Sequence, residues 1–574
     1  MKKGNKKSSI IDRAKSNMEE NRKKQKLQKI CKKLFKYFNT FNGRFVLIFL
    51  FTIIGFAALI GRVYYLQTKG GQKIREDSEK KYSYKTYKKA KRGKISTSDG
   101  QILAYDNEDY FVILDPTLID EESIDTLLDM LKRYIESLDI QKYKLEYLEK
   151  KKAGRQYLKI DDKISYRTKI EIESEIDNDK NEAIKQKKEK YKRRFKGIVF
   201  ETVFTRNYVQ SEAFQETLGF VNNENKGVYG IEKYYDEQLA GEMGVEPRLR
   251  IPKPFLEIVK VKNKNEAKPA VEGQNLVLTL DSVMQYNLDD ELQKAYIEHS
   301  ATSTMGILIE VETGKILAMS SYPKAEDKST IKNRTIVDFF EPGSIFKPIV
   351  YATALEMGMP VCSHFSPRAL TYADEKYWTP RNSSATDDDP STYYSVGKAL
   401  KESLNTIAVQ TLFYAGLQNV IQKAYKMGVK TTLPQVPSIA LGSAELPVIE
   451  MAKVFTTFAN KGVPSQPYFI EKIVDKKGKV IWQHKPAKQE AAISETTAQK
   501  MIQLMRATVN EGTAARMRGQ YGLTNDLAGK TGTTQDNKDG WFAGMLPNLV
   551  MISWVGNDHQ IGFRSTRIGQ GANS

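Results

Sequence analysis

At 574 residues with 40% hydrophobic content, the chain is long enough for two or more domains with sizeable cores, which excludes disorder as a whole. Its 89 Lys and Arg against 70 Asp and Glu give a net charge of +19, which suits nucleic acid, anionic lipid or an acidic polymer until the charge is located. Two cysteines, Cys31 and Cys362, and four scattered histidines argue against a disulfide framework, a clustered zinc site and a metal enzyme.

Residues 1–44 are rich in Lys and Arg and poor in acids. Phe45 to Ile60 follows without a charge, and the apolar run extends to Leu66 with Arg62 as its only charged residue. This predicts one transmembrane helix over 45–66. The basic segment is too long for a signal peptide and no clear cleavage site follows, so the helix is expected to remain as an anchor. The positive-inside rule then keeps 1–44 in the cytoplasm and sends everything beyond about residue 67 outside. Cys31 and Cys362 are separated by the membrane on this reading, and the basic tail becomes an orientation signal, which leaves little reason to invoke nucleic acid.

Lys91 to Ala104 alternates short β-like runs around a Ser98-Asp99-Gly100 turn and predicts a hairpin. From Glu121 to Arg194 the chain is charged and helix-forming, which predicts a solvated helical insertion, with a lipid- or polymer-contacting patch at Lys185 to Arg194 as the alternative. Phe200 to Phe220 and Gly227 to Glu232 return to a folded composition; Lys253 to Lys268 is strand-like and then polar, and a domain boundary is expected near Ala270. The chain thus divides into a basic tail (1–44), an anchor (45–66), a mixed domain with a charged insertion (67–269) and a second domain (270–574).

The second domain is predicted to open on a strand at Leu276 to Leu280. An amphipathic helix from Ser282 to His299 carries apolar Val283, Leu288, Leu292 and Ala295. Strands Met305 to Val311 and Lys315 to Ser321 flank a Glu312-Thr313-Gly314 turn; helical periodicity covers Val396 to Lys430 and Val448 to Asn460. Leu527 to Thr534, Gly540 to Leu546 and Leu549 to Gly556 read as three late strands. The economical architecture is α+β, an antiparallel sheet flanked by helices.

Between these elements, Glu341-Pro342-Gly343-Ser344 reads as a helix start, after which Lys347 shares a face with Ser344 and its amine can reach the hydroxyl. The spacing alone is common: Ser78 with Lys81, Ser321 with Lys324, Ser329 with Lys332 and Ser395 with Lys398 repeat it. Two further elements single it out. Ser403-Leu404-Asn405 is the one S-x-N in the chain and Lys530-Thr531-Gly532-Thr533 contains the one K-[ST]-G. Singly, they read as a helix cap and a strand end; in this order they match the set of penicillin-binding proteins and class A β-lactamases.

Each residue has a chemical reason. Ser344 needs a neutral amine to take its proton, and Lys347 can serve if burial and a second cation, Lys530, lower its pKa. Ser403 can relay a proton to a departing amine, and Asn405 can hold Lys347 and a substrate amide. The N–H groups of Ser344 and Thr533 can form an oxyanion hole. Gly532 lets a substrate backbone lie against the strand, while Lys530, Thr531 and Thr533 suit a terminal carboxylate. A Ser-His-Asp site is disfavoured, since no G-x-S-x-G elbow is present and His299, His364, His484 and His559 lack a comparable setting.

At this point the sequence resembles the penicillin-binding proteins, the serine D,D-transpeptidases that cross-link peptidoglycan, and among them mainly class B. Arg92-Gly93-Lys94-Ile95 with Asp99-Gly100 and Leu103-Ala104 looks like their pedestal motif, Gly227 to Gly241 is similar to the segment that closes that pedestal, and Asn333-Arg334 matches the approach to the nucleophile. Tyr394 to Gln410, Lys530 to Gly544 and Gly569 to Ala572 are worded more like class A transpeptidase domains. Family members usually continue past the last strands into a helix packed on the sheet, whereas this chain stops at Ser574.

The resemblance implies a single-pass protein of the cytoplasmic membrane with an elongated pedestal and an outer serine β-lactamase/transpeptidase-like domain. It implies no cofactor, and as partners peptidoglycan stem peptides, β-lactam antibiotics, the membrane and cell-wall synthesis proteins such as a glycosyltransferase. A carboxypeptidase or β-lactamase on the same site, and a non-catalytic β-lactam sensor or scaffold, are the alternatives.

Overall fold

The computed structural model describes residues 5–68, 83–185, 197–209, 211–249, 267–372, 378–383, 389–534 and 538–557. The Ser78 and Lys81 pair, the basic run beyond Lys185, the stretch from Lys253 to Glu266, His559 and the Gly569 to Ala572 segment lie outside the described residues. The chain divides into two compact units, one of Met1–Tyr87 with Val245–Lys268, the other of Lys88–Gly244 with Pro269–Ser574.

In the first unit the basic tail is helical over Asn5–Phe38. A second helix, Phe41–Gln67, starts where the Thr40 hydroxyl accepts the Gly43 N–H at 3.2 Å. Its Asn42–Gln67 segment has a mean hydropathy of 2.4 and none of its most apolar stretch is buried, so it is long and apolar enough to cross a bilayer. The Arg62 guanidinium lies 5.6 Å from the Tyr65 ring, an arrangement suited to the membrane interface. Strands β1 (Ser83–Lys88) and β6 (Gly244–Leu249) pair with each other.

The second unit contains two large sheets and a small one, β10 (His364–Phe365) against β11 (Tyr394–Ser395). The predicted hairpin is present as β2 (Ile95–Ser96) against the start of β3 (Ile102–Leu114). The long β3 also pairs antiparallel with β4 (Leu158–Ser165) and along its length with β5 (Ile198–Tyr208).

The charged insertion departs from the solvated expectation. Its helices Glu121–Tyr134 and Ile140–Lys152 bury Ile124, Leu127, Leu128, Leu131, Tyr143 and Tyr147 against Tyr110, Val112 and Leu114 of β3 and Leu158, Ile160 and Ile164 of β4. The charges occupy the outer faces, and a second hydrophobic core forms beneath them.

The strand expected to open the second domain, observed as β7 (Asn275–Leu278), joins this first sheet. It pairs parallel with β2 and antiparallel with β12 (Ile470–Val474), which in turn pairs with β13 (Val480–Gln483). The sheet order is therefore β13-β12-β7-β2-β3-β4, with β5 on β3. Two chain segments separated by nearly two hundred positions complete one sheet.

The other sheet is the predicted antiparallel one, in the order β14 (Ala528–Thr533), β15 (Asp539–Met545), β16 (Leu549–Gly556), β8 (Ser303–Glu310), β9 (Ile316–Tyr322). Alternation gives it two buried faces. Met305, Ile307, Ile309, Ile552 and Trp554 join the main core with helix Val448–Ala459, while Leu308, Ala318 and Met551 pack on Leu288 and Leu292 of helix Ser282–Glu298.

That last helix buries the expected Leu288 and Leu292 but departs from expectation in its first turn. Val283 is 62% exposed, and buried Gln285 takes the inward position because its side chain is satisfied by Ala213 O at 2.8 Å, Met319 O at 2.9 Å and Met319 N–H at 2.9 Å.

A buried ion network joins the two pedestal motifs. Arg92 Nε donates to Glu232 Oε2 at 2.7 Å and Nη1 to Asp236 Oδ1 at 2.6 Å, while Arg206 Nε donates to Glu232 Oε1 at 2.7 Å and Nη1 to Asp106 Oδ1 at 3.1 Å. Glu232 thus neutralises two guanidinium groups from different elements.

Candidate active site

Ser344 sits on a 3₁₀ turn, Gly343–Phe346, that runs directly into helix Lys347–Glu356. In such a turn positions i and i+3 eclipse, so Ser344 and Lys347 lie one above the other. Gly343 has φ of 54°. Gly442, which ends the 3₁₀ segment Pro437–Leu441 with φ of 79°, presses on it: a Cβ there would lie 2.2 Å from Gly343 O.

Strand β14, at the edge of its sheet, approaches the turn from the other side. A Cβ on Gly343 would lie 2.9 Å from Thr533 O, and one on Gly532 would lie 2.7 Å from Pro342 O and 3.0 Å from Ile345 Cγ2. Glycine at 532 therefore lets the Gly343–Phe346 turn pack closely against the strand. The Trp541 indole on β15 donates to Glu341 O at 2.8 Å and fixes the entry to the same turn. Gly442→Ala is expected to lower stability by more than about 2 kcal/mol, since backbone must move and a positive φ is imposed on alanine. Thermal unfolding of the full chain reads this directly, and an unchanged midpoint would show that the turn yields.

Lys347 is completely buried. Its Nζ donates to Ser403 O at 2.6 Å, Asn405 Oδ1 at 2.7 Å and Ser403 Oγ at 3.2 Å. Burial, and then the Lys530 ammonium, push its pKa well below the usual lysine range, which favours the neutral amine. Lys530 is also fully buried on β14, with Nζ 2.9 Å from both Ser403 Oγ and Thr531 O; burial lowers its pKa to about 7.

Ser403 Oγ therefore lies between two amines. Ser403 occupies the turn between helices Val396–Lys401 and Asn405–Ala415 with φ of 60°, a sparsely populated conformation for a residue with a side chain. The arrangement joins Lys347, Ser403, Asn405 and Lys530 in one hydrogen-bonded cluster, with Ser344 one turn along the chain from Lys347.

Asn405 is the first residue of its helix and uses both ends of its amide. Oδ1 accepts a hydrogen bond from Lys347 Nζ and Nδ2 donates to Arg381 O at 2.8 Å. Its backbone N–H is capped from afar by Asn382 Oδ1 at 2.7 Å, which also receives the Thr406 N–H at 3.2 Å. Thr531 exchanges a hydrogen bond of 2.6 Å with the Thr513 hydroxyl. Asn382, Thr513, Gly442 and Trp541 are absent from the sequence-based site. Gly442 carried a readable sign, a glycine closing an apolar turn; the others have no local spacing that marks them.

The competing serine and lysine pairs are otherwise engaged. Ser321 Oγ donates to Glu216 at 2.5 Å, Lys332 Nζ donates to Asp338 at 2.7 Å, and Ser395 Oγ accepts the Lys398 N–H at 3.2 Å as a helix cap.

The site geometry coincides with two family matches. Residues 304–565 match the penicillin binding protein transpeptidase domain, and residues 87–278 match the penicillin-binding protein dimerisation domain. Penicillin-binding protein 1A of Aquifex aeolicus is 34% identical over 258 residues, covering 44% of this chain and 34% of that protein. Penicillin-binding protein 1A of Neisseria lactamica is 34% identical over 262 residues, covering 44% and 32%. The chain thus spans about a third of the length of these relatives. Among solved structures, penicillin binding protein 2X of Streptococcus thermophilus aligns with a TM-score of 0.68 at 19% identity, covering 85% of this chain and 78% of that one. A peptidoglycan synthetase of Bifidobacterium adolescentis aligns with 0.63 at 18%, covering 85% and 95%. These likenesses establish the fold, the expected transpeptidase-type sheet flanked by helices, and the pairing of a dimerisation with a transpeptidase domain fits the class B-like organisation.

Proposed function

Since the chain belongs to the penicillin-binding proteins, carrying both their dimerisation and their transpeptidase domain, we propose that it is a peptidoglycan D,D-transpeptidase working through a Ser344 acyl-enzyme. The observation that carries this reading is the hydroxyl of Ser403 held 3.2 Å and 2.9 Å from two fully buried lysine amines, beside the turn that presents Ser344.

Lys347, neutral in its dry setting, takes the Ser344 proton as Oγ bonds to the carbonyl carbon between the two terminal D-alanines of a stem peptide. The carbonyl electron pair moves to oxygen, where the N–H groups of Ser344 and Thr533 receive it. Collapse breaks the C–N bond; the departing D-alanine amine is protonated from Lys347 through Ser403. The amine of a second stem peptide then attacks the ester, passes its proton back along the same path and frees Ser344. Lys530 supplies positive charge, and Thr531 and Thr533 hydroxyls, for the terminal carboxylate. A β-lactam enters as an analogue of that terminus and acylates the same serine. No cofactor takes part.

Helix Phe41–Gln67 serves as a single-pass anchor in the cytoplasmic membrane, with the basic tail inside and both domains outside. The partners that follow are stem peptides, β-lactams, the membrane and other cell-wall synthesis proteins such as a glycosyltransferase.

The test is mass spectrometry of the full chain, in detergent, after exposure to a fluorescent penicillin. One adduct on Ser344, absent from Ser344→Ala, is expected; labelling that survives the substitution would overturn the reading. Incubation with a stem peptide and an acceptor amine should then give cross-linked product, whereas D-alanine release without it would make the enzyme a hydrolase.

A further inference from the structure

A second concavity in the catalytic unit shares no residue with the Ser344 site. It has a volume of about 380 Å³, and seven of its fourteen lining residues carry an aromatic ring. Tyr468 and His484 stack with centroids 3.6 Å apart, Trp482 meets His484 edge-on at 6.1 Å, and Tyr234 meets Tyr235 at 5.0 Å. Tyr234 is 81% exposed and Trp482 43% exposed, so these rings present apolar faces to water rather than to a core.

One charged group lines the same cavity. Glu216 is only 7% exposed; its Oε1 accepts the Ser321 hydroxyl at 2.5 Å, but its Oε2 is buried without a hydrogen-bond partner. A buried carboxyl oxygen left unpaired is costly, and a ligand donor offers the missing bond.

The chemistry of the lining chooses among ligands. Aromatic rings around a carboxylate would suit an ammonium ion. Here, however, burial pushes the Glu216 carboxyl up toward its neutral form, and the nearby Lys324 and Arg334 already answer its charge. Burial also pushes the His484 imidazole down, toward neutral. Both titratable groups thus favour an uncharged guest with a flat C–H face and hydroxyl groups. A sugar ring has both, and the volume admits one ring.

We infer that this cavity binds a pyranose ring of the peptidoglycan glycan strand, its C–H face against Trp482 and Tyr234 and a ring hydroxyl hydrogen-bonded to Glu216 Oε2. The source of the sugar rests on the transpeptidase reading; the cavity's preference for a sugar does not.

The test is isothermal titration of the full chain in detergent with two saccharides, glycan strands stripped of their stem peptides and a soluble β-1,4-linked N-acetylglucosamine oligomer. Fluorescent-penicillin labelling is run in parallel. Saturable binding, weakened at least tenfold in both Trp482→Ala and Glu216→Gln, is expected, with labelling of Trp482→Ala unchanged. Tyr234→Ala, at an exposed position, replaces Glu216→Gln if that variant fails to fold.

Failure of both saccharides to bind a chain that still labels would overturn the inference, as would binding unaffected by Trp482→Ala and Tyr234→Ala. Saturable binding of tetramethylammonium in place of sugar would overturn the ligand class. A chain that binds sugar but takes no penicillin would sustain this site while removing the transpeptidase reading.

Discussion

Lys347→Met is expected to slow acylation of Ser344 by at least about 10⁴-fold while leaving the fold intact. Methionine fills nearly the same buried volume, so the cleft keeps its shape, while the amine one turn from Ser344 is lost; Lys530 lies on a different element, β14, with Ser403 Oγ between it and Lys347. Stopped-flow with a fluorescent penicillin measures the loss. A variant that acylates within tenfold of the wild type would remove Lys347 as the base.

The same substitution has a signed pH signature in stability. Lys347 is held well below its ordinary pKa of 10.5 in the fold, so the folded state binds the proton less readily than the unfolded chain. Wild-type stability therefore falls as pH drops below the unfolded value, and a methionine, which cannot protonate, escapes that loss. The thermal midpoint of Lys347→Met relative to wild type should be highest near neutral pH and decline toward pH 10.

Acylation itself should be bell-shaped in the free enzyme. The acid limb reports Lys347, which must be neutral, and the alkaline limb reports Lys530, which loses its charge above about pH 7. A rate that keeps rising above pH 8 would exclude a carboxylate-binding role for Lys530.

Glu232→Ala is expected to destabilise the pedestal by about 3–5 kcal/mol, because it strands two buried guanidinium groups at once. Arg92 retains Asp236 at 2.6 Å and Arg206 retains Asp106 at 3.1 Å, yet the residue that joins them is gone. Replacing the whole cluster, Arg92→Met with Arg206→Met, Glu232→Leu, Asp106→Asn and Asp236→Asn, should cost much less, since no charge is then left unpaired. Thermal unfolding of the full chain compares the two. Equal losses would mean that the cluster matters through shape rather than charge.

This network also marks the boundary of what the sequence disclosed. Arg92 and Glu232 stood in recognisable motifs, but Arg206 lies in a β5 stretch that reads only as an ordinary strand, and its role appears when β5 is laid beside β3. The late strands and the β8–β9 hairpin were legible because their alternation and turn residues are local. Strand β4 was not: its Leu158, Ile160 and Ile164 alternate correctly, but neighbouring Lys- and Glu-rich helices hid a period of two within a period of 3.6. Strands β12 and β13 were not anticipated either, and their place beside β7 depends on a long-range pairing that no local pattern encodes. Likewise the S-x-N and K-T-G motifs announced Ser403, Asn405 and Lys530, while Asn382, which caps the Asn405 helix from a separate loop, is visible only in three dimensions.

The contact between the Gly343–Phe346 turn and β14 is made largely by backbone, Gly343 against Thr533 and Gly532 against Pro342, with the Ile345 side chain beside it, and Gly442 presses on Gly343 in turn. A gap bounded by peptide groups has a width set by bond lengths and torsions, not by the choice of side chains around it. Sequence drift in the surrounding walls can retune polarity, access and affinity, but it acts less directly on the backbone spacing between the turn and the strand. On the proposed reading, resistance to a covalent inhibitor arises more readily in those walls than in the backbone contact between the turn and the strand.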